Sequence, residues 1–242
     1  MDLKIAKEIF KDVDVRNKSI CELGCGSGVL SFLLLKNGAR SASLVDFSSE
    51  ALRLARDLFK SCDYTLDFVQ SDFMELIGDS KKYDVVFSSG VCEHFDGELR
   101  KLNVEKHFEL SNEYVVIIVP AAPHYNTIRH RKQRVIREYG FQRAFSKKEI
   151  LDIVSEIDGF EVQSMRRFNP MYGIDLYQLL ALDEQFLRKH STLGKSFNFT
   201  VRVLNKIISI FGIYKVLNVI LTPFENKLGG LLICVCKRSE SG

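Results

Sequence analysis

Acidic side chains recur at one kind of place along this chain, the point where a short apolar run ends. Glu22 falls within SICEL, Asp46 closes ASLVD, and Asp72 follows TLDFVQ by two residues. Glu22 precedes three alternate glycines, Gly24, Gly26 and Gly28, whereas Asp46 is followed by Phe47 and Asp72 by Phe73. Glycines after a strand let the backbone turn sharply and approach a ligand without interference from Cβ. A carboxylate about twenty residues further on, at the end of the next strand, can accept both hydroxyls of a ribose. A third carboxylate can accept from an exocyclic amine, and an aromatic ring can pack on a purine face. Together the three acids predict a ligand that carries a ribose, an adenine and positive charge. Taken singly, Asp46 and Asp72 also read as helix N-caps.

Two other nucleotide readings fail on spacing. The dinucleotide fingerprint G-x-G-x-x-G needs a glycine where Val29 stands, and no lysine follows Gly26 or Gly28 as a phosphate-binding P-loop requires. Glu22 would also repel a pyrophosphate.

A fourth run, YDVVFSS, leads into GVCEHF. Here His94 is the candidate general base, because an imidazole titrates near neutrality, and Glu93 lies beside it on the expected substrate rim. The competing reading is that His94 merely holds the loop or caps the next helix. After YVVIIVP, the stretch from Val119 to Lys148 holds eight Lys or Arg and one acid. His124, Tyr125, Arg129 and Arg131 are the rim candidates within it, suited to a substrate carboxylate or phosphate. A solvated helix face would read the same way. The six cysteines show no metal-ligand spacing, and no metal is expected. Those in apolar runs read as small buried hydrophobes in a reducing compartment.

Positioning these side chains requires strands at 19–23, 42–46, 65–70, 83–89 and 114–120, with helical patterns between them. Such alternation predicts a parallel sheet covered on both faces. A further helix at 146–157, capped by Ser146, leads to a strand at 160–168, and the last strand lies near 229–238. Between those two strands, residues 170–228 are too long for a structureless loop and predict a helical insertion in one domain spanning 1–242. Its segment 199–221 is apolar nearly all round but interrupted by Arg202, Lys206 and Lys215, which argues against a membrane span. A lid, a homodimer interface and peripheral membrane contact all fit it. The net charge of +3 does not by itself call for nucleic acid or membrane. The charged amphipathic N-terminus lacks the apolar core of a signal peptide, which predicts a cytoplasmic chain, peripheral to the membrane if that contact is made.

ICELGCGSG, LVDFS, QSDFMEL and YDVVFSSGVCEHF resemble the successive motifs of class I S-adenosylmethionine-dependent methyltransferases, over about residues 15–165 and the final strand. The nearest flavour is the small-molecule family that includes quinone-biosynthesis enzymes. The resemblance implies a Rossmann-like α/β fold of seven strands, six parallel and the last antiparallel. It implies S-adenosyl-L-methionine as cofactor and S-adenosyl-L-homocysteine as product. Gly24, Gly26 and Gly28 would then pack on the methionine part and Glu22 would act near its amino group. Asp46 would bind the ribose, Phe47 flank the adenine, and Asp72 with Phe73 meet its edge. The implied reaction is methylation of a small-molecule acceptor, more readily at oxygen. The Asn/Asp-Pro-Pro-aromatic motif of nucleic-acid amino methyltransferases is absent, and SSGV stands there instead. The alternatives are a methyltransferase acting on RNA or protein, a non-catalytic binding module on the same fold, and an NAD-dependent dehydrogenase.

Overall fold

The computed structural model describes residues 1–76, 82–124, 127, 130–172 and 191–239. In chain order the described elements are α1 (Asp2–Ile9), β1 (Ser19–Leu23), α2 (Val29–Lys36), β2 (Ser41–Asp46), α3 (Ser49–Phe59), β3 (Thr65–Gln70) and β4 (Tyr83–Ser89). They continue with α4 (Gly97–Glu109), β5 (Ser111–Ala122), α5 (Gln133–Tyr139), β6 (Phe145–Ser146), α6 (Lys147–Val154) and β7 (Phe160–Phe168). The last are α7 (Ser191–Ile210), α8 (Ile213–Leu221), α9 (Glu225–Leu228) and β8 (Leu231–Arg238).

Seven strands form the sheet in the order β3-β2-β1-β4-β5-β8-β7, and the short β6 adds itself to the end of β5. The pairs β1–β2, β1–β4, β2–β3 and β4–β5 are parallel, whereas β8 runs antiparallel to both β5 and β7. The expected class is therefore observed, with β6 as an addition. Alternation along the strands builds a core on each face. Ile20, Leu44, Phe87, Val116, Ile118 and Ile233 pack toward the side of α1, α2 and α3. Val115, Ile117, Val119, Leu232 and Cys234 pack toward α4 and α6. Such two-sided burial explains why the central strands read as unbroken apolar runs.

Local chemistry sets the helix starts. Ser48 Oγ accepts from the Ala51 N–H at 3.2 Å, and Ser146 Oγ accepts from the Glu149 N–H at 3.1 Å. Leu52, Ala55 and Phe59 then form the buried stripe of α3. The cysteines are free, and all but Cys62 are buried. Within the insertion, helices occupy 191–210, 213–221 and 225–228, and a break at Phe211–Gly212 divides the apolar segment expected at 199–221. Residues 173–190 of the predicted insertion lie outside the described residues.

Candidate functional site

Strand order reverses between β1 and β4, because β2 and β3 build outward on one side and β5 on the other. Loops leaving the carboxyl ends of neighbouring strands diverge at such a point and open a crevice. A cavity of about 460 Å³ occupies it, within the usual range for a small-molecule site. Its wall comprises Gly24 after β1, Asp46 and Phe47 after β2, Ser71, Asp72 and Phe73 after β3, and Gly90, Val91, His94 and Phe95 after β4.

The glycine turn is held by strand packing on one side and by Asp46 on the other. Gly28 is the N-cap of α2 with φ of 73°, a left-handed conformation that disfavours any Cβ. An ideal Cβ there would also stand 2.7 Å from Leu44 Cδ2. Gly26 is left-handed too, yet its missing Cβ points into open space, with no heavy atom within 4 Å. The Gly26 N–H donates to Asp46 Oδ2 at 2.9 Å, and the Ser48 N–H donates to Asp46 Oδ1 at 2.9 Å. Asp46 therefore fixes the turn while each oxygen keeps a further lone pair for a ligand hydroxyl. Of the three glycines, only Gly24 touches the cavity; Gly26 and Gly28 shape the turn behind it.

Phe47 is 79% exposed and forms part of the cavity wall, a ring face without a protein partner to cover it. Asp72 caps the helical turn Phe73–Glu75, accepting from the Met74 N–H at 3.0 Å, so the N-cap reading of this acid is correct and coexists with its place in the wall. Phe73 is buried, edge-on to Phe95 and His107, and forms the cavity floor.

Glu22 lies in β1, just ahead of the glycine turn. Burial is nearly complete, its carboxyl accepts from the N–H and hydroxyl of Ser31, and it does not line the cavity. Burial pushes its pKa up to about 8 against the pull of the Ser31 donors, so the unliganded protein holds it largely protonated at neutral pH.

His94 lies in the cavity wall with Nδ1 donating to the Phe141 carbonyl at 2.9 Å. That bond assigns the neutral tautomer and leaves the lone pair on Nε2, the arrangement a general base needs. Burial lowers the His94 pKa, outweighing the carbonyls of Phe141 and Gly90 that favour the charged ring. Glu93 is a correction. It is 2% exposed rather than at the rim, its Oε2 has no hydrogen-bond partner among the described residues, and burial raises its pKa to about 7.

His124 also sits away from the cavity wall, with Nε2 3.3 Å from the Pro170 carbonyl oxygen and its ring beside Gly230. Arg131 is exposed and likewise absent from the wall. Tyr125 and Arg129 lie outside the described residues. Ser71, Gly90, Val91 and Phe95 were not predicted as site residues. The only sign of the last three was their membership of the SSGVCEHF run after β4. Among the described residues, no group of three His, Cys, Asp or Glu side chains is arranged to hold a metal ion.

The family model described as a methyltransferase domain matches residues 20–109, the stretch from β1 to α4 that supplies the whole cavity wall. A candidate protein N5-glutamine methyltransferase of Methanocaldococcus jannaschii is 35% identical over 74 residues, 31% of this chain and 36% of that protein. The malonyl-[acyl-carrier protein] O-methyltransferase 1 of Ilyobacter polytropus is 31% identical over 97 residues, 40% of this chain and 35% of that protein. The chain thus spans about a third of the length of these curated relatives. In fold it is similar to magnesium protoporphyrin IX methyltransferase from Synechocystis PCC 6803 with bound S-adenosylhomocysteine (TM-score 0.55, 18% identity), over 68% of this chain and 74% of that one.

Proposed function

We propose that this chain, whose residues 20–109 form a methyltransferase domain within a class I fold, is an S-adenosylmethionine-dependent methyltransferase acting on a small molecule at oxygen. The observation that carries the reading is the cavity wall itself. Two carboxylates, an uncovered aromatic face and an imidazole converge there from the ends of β2, β3 and β4. The residues present fit the donor. Asp46 offers its spare lone pairs to a ribose diol, Phe47 offers its exposed face to the adenine, and Asp72 offers its carboxylate to the adenine edge. Gly24 offers its backbone in the cavity wall for the methionine end.

The bound donor would supply an electrophilic methyl group on a sulfonium. In-line displacement depends chiefly on placing the acceptor, so the wall residues contribute by orientation. His94 Nε2 takes the proton of a hydroxyl acceptor as its oxygen is methylated, while the Phe141 carbonyl holds the ring in the tautomer that can do so. The lowered His94 pKa keeps the imidazole in the unprotonated form at neutral pH.

The acceptor class is tested by incubating the protein with methyl-tritiated S-adenosylmethionine and a fractionated cell extract. Label in a low-molecular-mass fraction, lost with His94→Ala, supports the reading. Label confined to protein or RNA would replace the small-molecule acceptor.

A further inference from the structure

Helices α7 and α8 carry an apolar surface that the rest of the described protein leaves uncovered. From residue 195 to residue 228, Val201 alone is buried. Ile210, Phe211 and Val219 are each more than 70% exposed, and no residue of α8 is buried. Contiguous exposed apolar area on this scale marks an interaction surface rather than the scattered hydrophobes of an ordinary exterior.

Charge distinguishes the occupants. Residues 191–224 contain Lys195, Arg202, Lys206 and Lys215 and no acid. Lys195, Arg202 and Lys206 stand at i, i+7 and i+11, one row along α7 bordering its apolar face. A second copy docking face to face would set these cations against their equivalents, with no carboxylate in the segment to pair them. An anionic lipid surface accepts both features at once, the apolar stripe in the acyl boundary and the basic row at the headgroups. No single helix is long and apolar enough to cross a membrane, and the two helices meet at a 67° bend. Tyr214 Oη donates to Asn205 Oδ1 at 2.8 Å across that bend, tying α8 to α7.

The insertion that carries the hairpin follows β7 at Phe168 and ends at β8 at Leu231, and both residues lie level with Pro120 near the carboxyl end of β5. The cavity opens from that same edge of the sheet.

We propose that the α7–α8 hairpin docks on an anionic lipid surface and holds the cavity edge of the sheet toward the membrane. Taken with the methyl-transfer reading, on which this last step rests, the acceptor is then an amphiphile drawn from that membrane.

The test is co-sedimentation of the full chain with phosphatidylcholine vesicles, alone or mixed with phosphatidylglycerol, with S-adenosylhomocysteine titrated separately in solution. The protein should sediment with the mixed vesicles and be released by high salt. Arg202→Gln with Lys206→Gln should lower partitioning about five-fold for each charge removed. Ile210→Asp with Phe211→Asp should abolish it. Both side chains are exposed, so retained S-adenosylhomocysteine binding shows that the variant is folded. Absence of vesicle binding, or partitioning indifferent to the charge variant, overturns the proposal whatever the fate of the methyl-donor reading. A soluble dimer dissociated by Ile210→Asp would overturn it too, and would assign the face to a second copy.

Discussion

At the scale of single residues, the site rests on carboxyl and imidazole groups whose protonation depends on burial. His94→Ala should lower kcat by about 10²- to 10⁴-fold, the usual share of a general base, and leave S-adenosylhomocysteine affinity unchanged. Because burial lowers its pKa, the rate plateau should extend to pH values below the ordinary imidazole range, as a kcat–pH profile would show. Glu93 titrates in the opposite sense. Its folded pKa of about 7 exceeds the unfolded value near 4.5, so its contribution is fully present below 4.5 and is lost as pH rises through 7. Glu93→Gln should therefore gain stability over wild type as pH goes from 5 to 8, by more than about 1 kcal/mol in urea unfolding. His107 has a depressed pKa of about 4, so its contribution is full above 6.5 and is lost as pH falls toward 4. Residue types were legible at Asp46, Phe47, Asp72 and His94 because each stands at a strand's carboxyl end or within five residues beyond it. Side-chain direction was not. Glu22 and Glu93 turn inward, and a sequence records an acid without recording which way it points.

At the scale of elements, the loop that orients His94 is itself clamped from α4. Arg100 is buried, stacks on Phe145 and donates to the carbonyls of Arg143 and Ala144 and to Glu149. These contacts hold residues 143–149, which directly follow the Phe141 carbonyl that accepts from His94. Arg100→Ala should cost about 3 kcal/mol in unfolding free energy, since it removes a buried cation that holds three carbonyls, while Glu149 keeps Arg143 as a partner. It should also lower kcat more than it alters donor affinity. At the glycine turn, Gly28→Ala must accommodate both a left-handed φ and the Leu44 contact, and should destabilise the protein by at least 1–2 kcal/mol. The strands and major helices of the sheet domain were legible from apolar runs, helical stripes and serine caps. The two-residue β6 was not, because so short a pairing leaves no period to read. Nor was α5, whose basic stretch reads as a rim or as a solvated face with equal ease.

At the scale of the whole molecule, a cavity at the carboxyl ends of β1 to β4 and an exposed apolar hairpin belong to one seven-stranded sheet domain. The sheet domain was legible because its topology is forced by parallel strands that must be covered on both sides. The insertion was legible only as helix, since an apolar segment has the same composition whether it meets a core, a second copy or a bilayer. Exposure in the folded chain sets aside the core, and the proposal of a lipid surface rather than a second copy rests on the basic residues beside the exposed face. None of the cavity-wall residues belongs to the hairpin, so hairpin variants should leave donor affinity intact. Calorimetric titration with S-adenosylhomocysteine measures the first directly. Saturable binding to one site per chain is expected, weakened at least ten-fold by Asp46→Ala. Absence of binding by the folded wild-type protein, or equal binding by Asp46→Ala, would contradict the assignment of this cavity to a methyl donor.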